Sequence, residues 1–294
     1  MSFSLNILMD LQEIWHYPFM QNAIEAGTMT AVVAGVTGYF VVLRKSAFTA
    51  HAFSEIGFAG AAWAVLSGVS PLAGLLIGSN LGGIGIALLG RRAVNRDTQI
   101  GIVLAFSLGL GLLFISLYSG YASQTYSILF GEILAVSHDQ VTETLEASAA
   151  ILVGLGVMYR PLLFSSLDED VAEAKGMPML ALGVAFMAIV ACAVSFAVQV
   201  TGVLLVFSLM VTPGATAQYI ASKPSRAIAA SVVIALVATW LGLFLSFYTP
   251  YPVSFYITAE VFAFYVLVRL VYTRFRWERI SQGSLLRPPV DRSG

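Results

Sequence analysis

Nine stretches of mostly apolar residues follow one another along the chain, at about 23–43, 47–67, 71–90, 98–118, 140–159, 178–199, 202–221, 226–248 and 253–273. Each is close to the roughly 20 residues a helix needs to cross the hydrocarbon of a bilayer. The runs are continuous, without the alternation of lipid-facing and lumen-facing positions that a membrane barrel requires, so the pattern predicts helices. The breaks between them are charged or rich in Gly and Pro: Arg44-Lys45, Gly68 to Pro71, Arg91 to Asp97, Ser119-Gly120, Arg160-Pro161, Lys223-Pro224 and Thr249 to Pro252. The second and seventh runs are the weakest, and either reads equally as a broken or re-entrant helix.

Composition agrees with this pattern. Of 294 residues, 58% are hydrophobic and only 11% charged, against roughly 25% charged in soluble domains. We therefore read an all-α polytopic membrane protein with eight or nine spans. Residues 1–22 form an amphipathic N-terminal segment outside the cytoplasm, 23–273 a transmembrane domain and 274–294 a basic cytoplasmic tail. Asp10, Glu13 and His16 argue against a cleavable signal peptide at the start. A net charge of −1 gives no reason to expect a nucleic-acid partner, and Cys192 has no second cysteine with which to pair.

Charge placement orients the spans. With nine spans all fifteen Lys and Arg fall at ends or loops of one side; none occurs in residues 1–43, 68–71, 119–139 or 249–252. The positive-inside rule then puts the N-terminus outside and the C-terminus in the cytoplasm. The opposite side carries Asp10, Glu13, Glu132, Asp139, Glu143 and Glu146. They either reflect the exclusion of basic residues or favour cations at an entrance.

Ionisable groups inside spans are costly and are functional hypotheses by default. Glu25 lies toward the outer end of the first span, as an interfacial carboxylate or a pathway residue. Glu260 lies two turns into the last span and is either a hydrogen-bonded structural group or a cavity-lining carboxylate. His51 and Glu55 are four residues apart in the second run, which places imidazole and carboxylate on one helix face. Zn²⁺, Mn²⁺ and Fe²⁺ accept that donor set. From the residues alone the pair is either a ligand pair or a mutual hydrogen bond that holds the bundle together. Gly74, Gly78 and Gly82, with Gly57 and Gly60, predict close helix contact within or between protomers.

Pro213 and Gly214 interrupt the seventh run, as an unwound hinge or a plain kink. Between the fifth and sixth runs, Asp168, Glu169, Asp170, Glu173 and Gly176 outline a short helix with an acidic start and a Gly stop. It is either a docking element or a solvated connector. Catalytic motifs are absent: the sequence has no G-x-x-x-x-G-K-[ST] loop, H-E-x-x-H or G-x-S-x-G.

At this point the residues resemble a known family. The segments from Tyr17-Pro18-Phe19-Met20-Gln21 to Phe255 include Phe40 to Lys45, Leu129 to Ser137, Leu167 to Ala172, Gly202 to Val206 and Thr212 to Ala217. In order and spacing they are similar to the permease subunits of bacterial ATP-binding-cassette importers for zinc, manganese and iron, the ABC-3 metal permeases. The family pattern Gly-Asp-x-x-Ser-His-x-x-x-Pro-Gly meets Ala50-His51-Ala52-Phe53-Ser54-Glu55-Ile56-Gly57-Phe58-Ala59-Gly60 here. His51 stands where the Asp is expected and Glu55 where the His is expected, so one imidazole and one carboxylate survive in reversed order.

The resemblance implies a type II importer-like permease fold and a transport subunit that is not itself an enzyme. It also implies a homodimer in the bacterial cytoplasmic membrane, a separate cytoplasmic ATPase docking at Asp168–Gly176, and an extracytoplasmic metal-binding protein. No cofactor is bound permanently; the metal is cargo, held by a few N/O donors toward the outer half. Its binding weakens as His51 protonates in mild acid. Two other readings are an importer of a chelate or vitamin, and a secondary metal transporter that needs no ATPase.

Overall fold

The computed structural model describes residues 14–88, 96–118, 131 and 133–285. Ten α-helices are found among them, with one 3-10 turn at Ile133–Ala135: α1 (Pro18–Leu43), α2 (Ala47–Leu66), α3 (Pro71–Leu88), α4 (Arg96–Leu117), α5 (His138–Leu167), α6 (Glu169–Ala174), α7 (Met179–Thr201), α8 (Val203–Ile220), α9 (Pro224–Tyr248) and α10 (Val253–Leu285). No strand occurs among the described residues. Asp10, Glu13, Arg91, Arg92 and Glu132 lie outside them, as do residues 286–294.

Seven helices are long and apolar enough to cross a membrane, namely α1, α4, α5, α7, α8, α9 and α10. The other two long helices match the predicted second and third spans. The apolar part of α3, Pro71–Ile86, falls short in length. Helix α2 has 20 residues, but Thr49, His51, Ser54 and Glu55 dilute its apolar character. It is nonetheless one continuous helix, so the broken-helix alternative does not describe it.

One sequence boundary is corrected, and two helices extend past the spans read from the sequence. Arg160-Pro161 does not end the fifth span, because α5 runs for 30 residues to Leu167 with Pro161 inside it. Proline deprives one carbonyl of its helical donor, a loss that neighbouring helices and side chains offset in membrane bundles. Helix α1 already begins at Pro18, inside the segment assigned to residues 1–22. Helix α10 continues for 33 residues, so the first part of the basic tail is helical.

The centre of the bundle is α1, two-thirds buried along its apolar window. It packs on α9, α8, α5 and α7, whereas α2 packs mainly on α3 and α4. Small residues set these approaches, since lipid tails give apolar side chains little reason to prefer one another and close packing must supply the attraction. A Cβ on Gly38 would meet the Met210 carbonyl, and one on Gly214 the Gly38 carbonyl at 2.7 Å. At the α2–α3 crossing, Cβ atoms on Gly60 and Gly74 would each strike the other's carbonyl oxygen, and Gly78 lies against Gly60 and the Ile56 carbonyl. The glycine stripe therefore serves contact within one chain.

Helix ends explain the turns. The α1–α2 connection is a Schellman turn, in which Lys45 N–H donates to Val42 O and Ser46 N–H to Val41 O. Its left-handed position holds Lys45 at φ 55°, where glycine is usual. The α7–α8 junction is sharper. Gly202 adopts φ 82° and ψ 162°, a region essentially restricted to glycine. Helix α8 then runs unbroken through Pro213 and Gly214, so the interruption falls at Gly202 and Gly214 is a packing position. Gly131 rests on Thr201 and Gly202, Ile133 touches Gly27, and the Val136 carbonyl accepts from Asn22 Nδ2 at 3.1 Å. The stretch before α5 thus lies along α1 and over the α7–α8 junction.

Gly60→Ala is expected to lower the thermal midpoint of the detergent-solubilised protein by about 5 °C or more, since overpacking at a backbone contact costs roughly 1–3 kcal/mol. Gly156→Ala, where a Cβ meets nothing within 4 Å, is expected to leave the midpoint unchanged or raise it. Equal midpoints for the two variants in a fluorescence melting assay would refute the close crossing.

Candidate functional site

Helix α2 carries the polar pair into the bundle. Glu55 is 5% exposed and His51 half-buried, one turn apart on the same face. The imidazole leans on Phe207 of α8, with ring centroids 4.9 Å apart and planes at 54°. His51 Nδ1 and Glu55 Oε2 are buried and meet no hydrogen-bond partner among the described residues. The mutual hydrogen bond is therefore not what places these groups here. A buried polar atom left unpaired costs roughly 1–3 kcal/mol.

The turn holding the pair is pinned from two sides. Ser54 Oγ donates to the His51 carbonyl at 2.7 Å, and Ser79 Oγ of α3 donates to the Phe53 carbonyl at 2.9 Å. The second bond crosses the glycine contact and ties the register of α2 to α3. Both residues sit in the first half of α2, the half that follows Arg44-Lys45. That position differs from the outer half suggested by the sequence, because the pair begins only four residues after the helix starts at Ala47.

The other sequence candidates are dispersed. Glu25 is exposed on α1. Glu260 is half-buried on α10, and its Oε2 has no partner among the described residues. No group of three or more His, Cys, Asp or Glu that could hold a metal ion occurs among the described residues. An imidazole and a carboxylate are fewer donors than the four of a closed structural metal site. Sequence reasoning did not single out Gln199, Thr30 or Thr37. Their Oε1 and Oγ1 atoms are also buried without a partner among the described residues, and nothing in an uncharged residue inside an apolar run announces that.

At the basic end, α5 passes into α6 through Asp168 alone. This residue closes α5, with its N–H donating to Phe164 O at 3.2 Å, and opens α6, where its Oδ1 accepts from Val171 N–H at 3.0 Å. Helix α6 ends in a second Schellman turn: Gly176 N–H donates to Glu173 O and Met177 N–H to Ala172 O, with Gly176 at φ 77°. Glu169, Asp170 and Glu173 are exposed on this short helix, while Ala172 anchors it. The capped helix read from the sequence is present, with Asp168, Glu169, Asp170, Glu173 and Gly176 in the positions assigned to them.

A multi-pass helical bundle with a polar pair inside is the architecture of a polytopic membrane protein. The chain belongs to the ABC 3 transport family, whose model matches residues 16–272. It is 27% identical over 242 residues to the manganese transport system membrane protein MntC of Halalkalibacterium halodurans, covering 82% of this chain and 83% of the relative. It is 26% identical over 231 residues to the high-affinity zinc uptake system membrane protein ZnuB of Buchnera aphidicola, covering 78% and 88%. Among solved structures it is similar to PsaBC from Streptococcus pneumoniae in complex with Fab, with a TM-score of 0.81 and 28% identity over 90% of this chain and 95% of that one. The permease fold implied by the sequence is the fold observed.

Replacing Asp168 by Ala is expected to cost α6 about 1 kcal/mol, read as roughly fivefold faster hydrogen exchange at the Val171 amide. Asp168→Asn keeps an accepting oxygen and is expected to exchange like the parent. Unchanged exchange in the Ala variant would contradict the cap.

Proposed function

We propose that this chain is the membrane-spanning subunit of an ATP-driven importer of a divalent transition metal, with manganese and zinc the leading cargoes and iron within the same ligand class. The observation that carries the reading is the unpartnered His51–Glu55 pair on α2, in a family whose relatives include manganese and zinc permeases. Imidazole nitrogen and carboxylate oxygen suit these ions and are too few to trap one. An ion moves only where ligands replace part of its hydration and then release it. Each protomer supplies two donors, and a homodimer with the pathway between its copies would double them.

The division of labour follows. The sequence has no phosphate-binding loop, so hydrolysis belongs to a separate cytoplasmic ATPase that docks at α6, where Asp168, Glu169, Asp170, Glu173 and Gly176 shape the contact. An extracytoplasmic metal-binding protein delivers the ion to the acidic side, and Glu25 and Glu260 are secondary candidates for the path. The one-sided basic residues orient the chain with its N-terminus outside and its C-terminus inside the bacterial cytoplasmic membrane.

The test is ATP-dependent uptake of Mn²⁺, Zn²⁺ and Fe²⁺ into proteoliposomes holding the permease with its partner ATPase and binding protein. His51→Ala and Glu55→Ala are each expected to reduce uptake of the transported ion at least about tenfold, the equivalent of one lost ligand at roughly 1.4 kcal/mol or more. Uptake at the parental rate in both variants would sink the ligand assignment.

A further inference from the structure

The Arg44 side chain joins three helices at the basic end. Its Nη1 donates to Ser165 Oγ at 2.8 Å and to Ser166 Oγ at 3.2 Å, both in the last turn of α5. Its guanidinium lies 5.2 Å from the ring centre of Phe186 on α7, and Phe186 is fully buried. The two hydroxyls are fixed in turn, because each also donates to the Leu162 carbonyl, at 3.2 Å and 2.5 Å. They therefore present lone pairs to the arginine. Arg44 is itself the residue that closes α1. One positive charge thus sits at the C-terminal ends of both α1 and α5, where the helix dipoles favour it.

These partners stand on either side of α6. Helix α5 ends at Leu167, with Asp168 as the only link to α6. Helix α7 starts at Met179, four residues after Lys175 closes α6. A push on α6 therefore reaches Arg44 through α5 and through α7. On the other side of Arg44 there is little slack: Lys45 occupies the strained left-handed turn, and Ser46, 6% exposed, donates its N–H to Val41 O and receives the Ala50 N–H. His51 lies one residue beyond Ala50. A planar guanidinium that bonds two hydroxyls through Nη1 and lies over a ring transmits displacement better than an ammonium on a flexible stem.

We propose that Arg44 is a positioning residue for transport, linking movement of the α5–α6–α7 corner to the helix that carries His51 and Glu55. The proposal rests on the reading of α6 as the ATPase contact. Arg44 touches neither the ion nor the nucleotide; it sets how much of each ATP-driven movement arrives at the pair.

The experiment measures ATP hydrolysis and metal uptake together in proteoliposomes containing the full importer, using Mn²⁺ and Zn²⁺ as probes. Arg44→Ala is expected to keep hydrolysis within about twofold of the parent, while uptake per ATP falls about tenfold. Arg44→Lys is expected to restore part of that ratio. The double variant Ser165→Ala with Ser166→Ala, which retains the arginine, is expected to lower the ratio about threefold and decides the matter if Arg44→Ala fails to assemble. A parental uptake-to-hydrolysis ratio in these variants, with wild-type uptake intact, would overturn the proposal alone. Absence of ATP-dependent uptake by the wild-type complex would overturn the proposed function and this inference together.

Discussion

Placing an imidazole and a carboxylate inside a lipid-embedded bundle is the cost around which the rest of this structure is arranged. Ionisable groups within spans demand a partner or water, and the buried Nδ1 of His51 and Oε2 of Glu55 have no hydrogen-bond partner among the described residues. The helix that bears them is held on several sides. Gly60 and Gly74 draw α3 against it, Ser79 of α3 fixes its register, and Phe207 of α8 backs the imidazole. A helix free to rotate would turn both groups toward solvent or a neighbour and satisfy them there. Close packing holds them where no side chain among the described residues satisfies them.

The same packing has a bearing on movement. Contacts between backbones at Gly38–Met210 and Gly60–Gly74 bring α1 against α8 and α2 against α3 at close range. Packed cores of this kind switch between arrangements and do not deform smoothly. The connections at three helix junctions are short: Arg44, Lys45 and Ser46 between α1 and α2, Asp168 between α5 and α6, Gly202 between α7 and α8. Two of these three adjoin the basic end, where an ATPase would act, and the third lies under the stretch that precedes α5.

Much of this was readable in the sequence. Apolar run lengths located nine helices because lipid leaves a chain few other ways to satisfy its backbone. The capped helix at Asp168–Gly176 was legible because an N-cap carboxylate and a C-terminal glycine have local causes. The reading failed where tertiary packing overrides local preference. Pro161 reads as a stop, yet α5 passes through it. Pro213-Gly214 reads as an unwound hinge or a plain kink; the helix is continuous there, and the glycine lies against Gly38 of α1. Arg44 counted only as a marker of orientation; its bonds to Ser165 and Ser166 span more than a hundred residues of sequence, and no local pattern reports them.

The central claim is that the His51–Glu55 pair takes the cargo ion directly. Pulsed electron paramagnetic resonance of Co²⁺ added to the permease in lipid nanodiscs tests it, since Co²⁺ accepts the donors that Mn²⁺ and Zn²⁺ accept. The account predicts nitrogen coupling from one coordinated imidazole per site, lost in His51→Ala while the fold is retained. Bound Co²⁺ without nitrogen coupling, or coupling that survives His51→Ala, would contradict it.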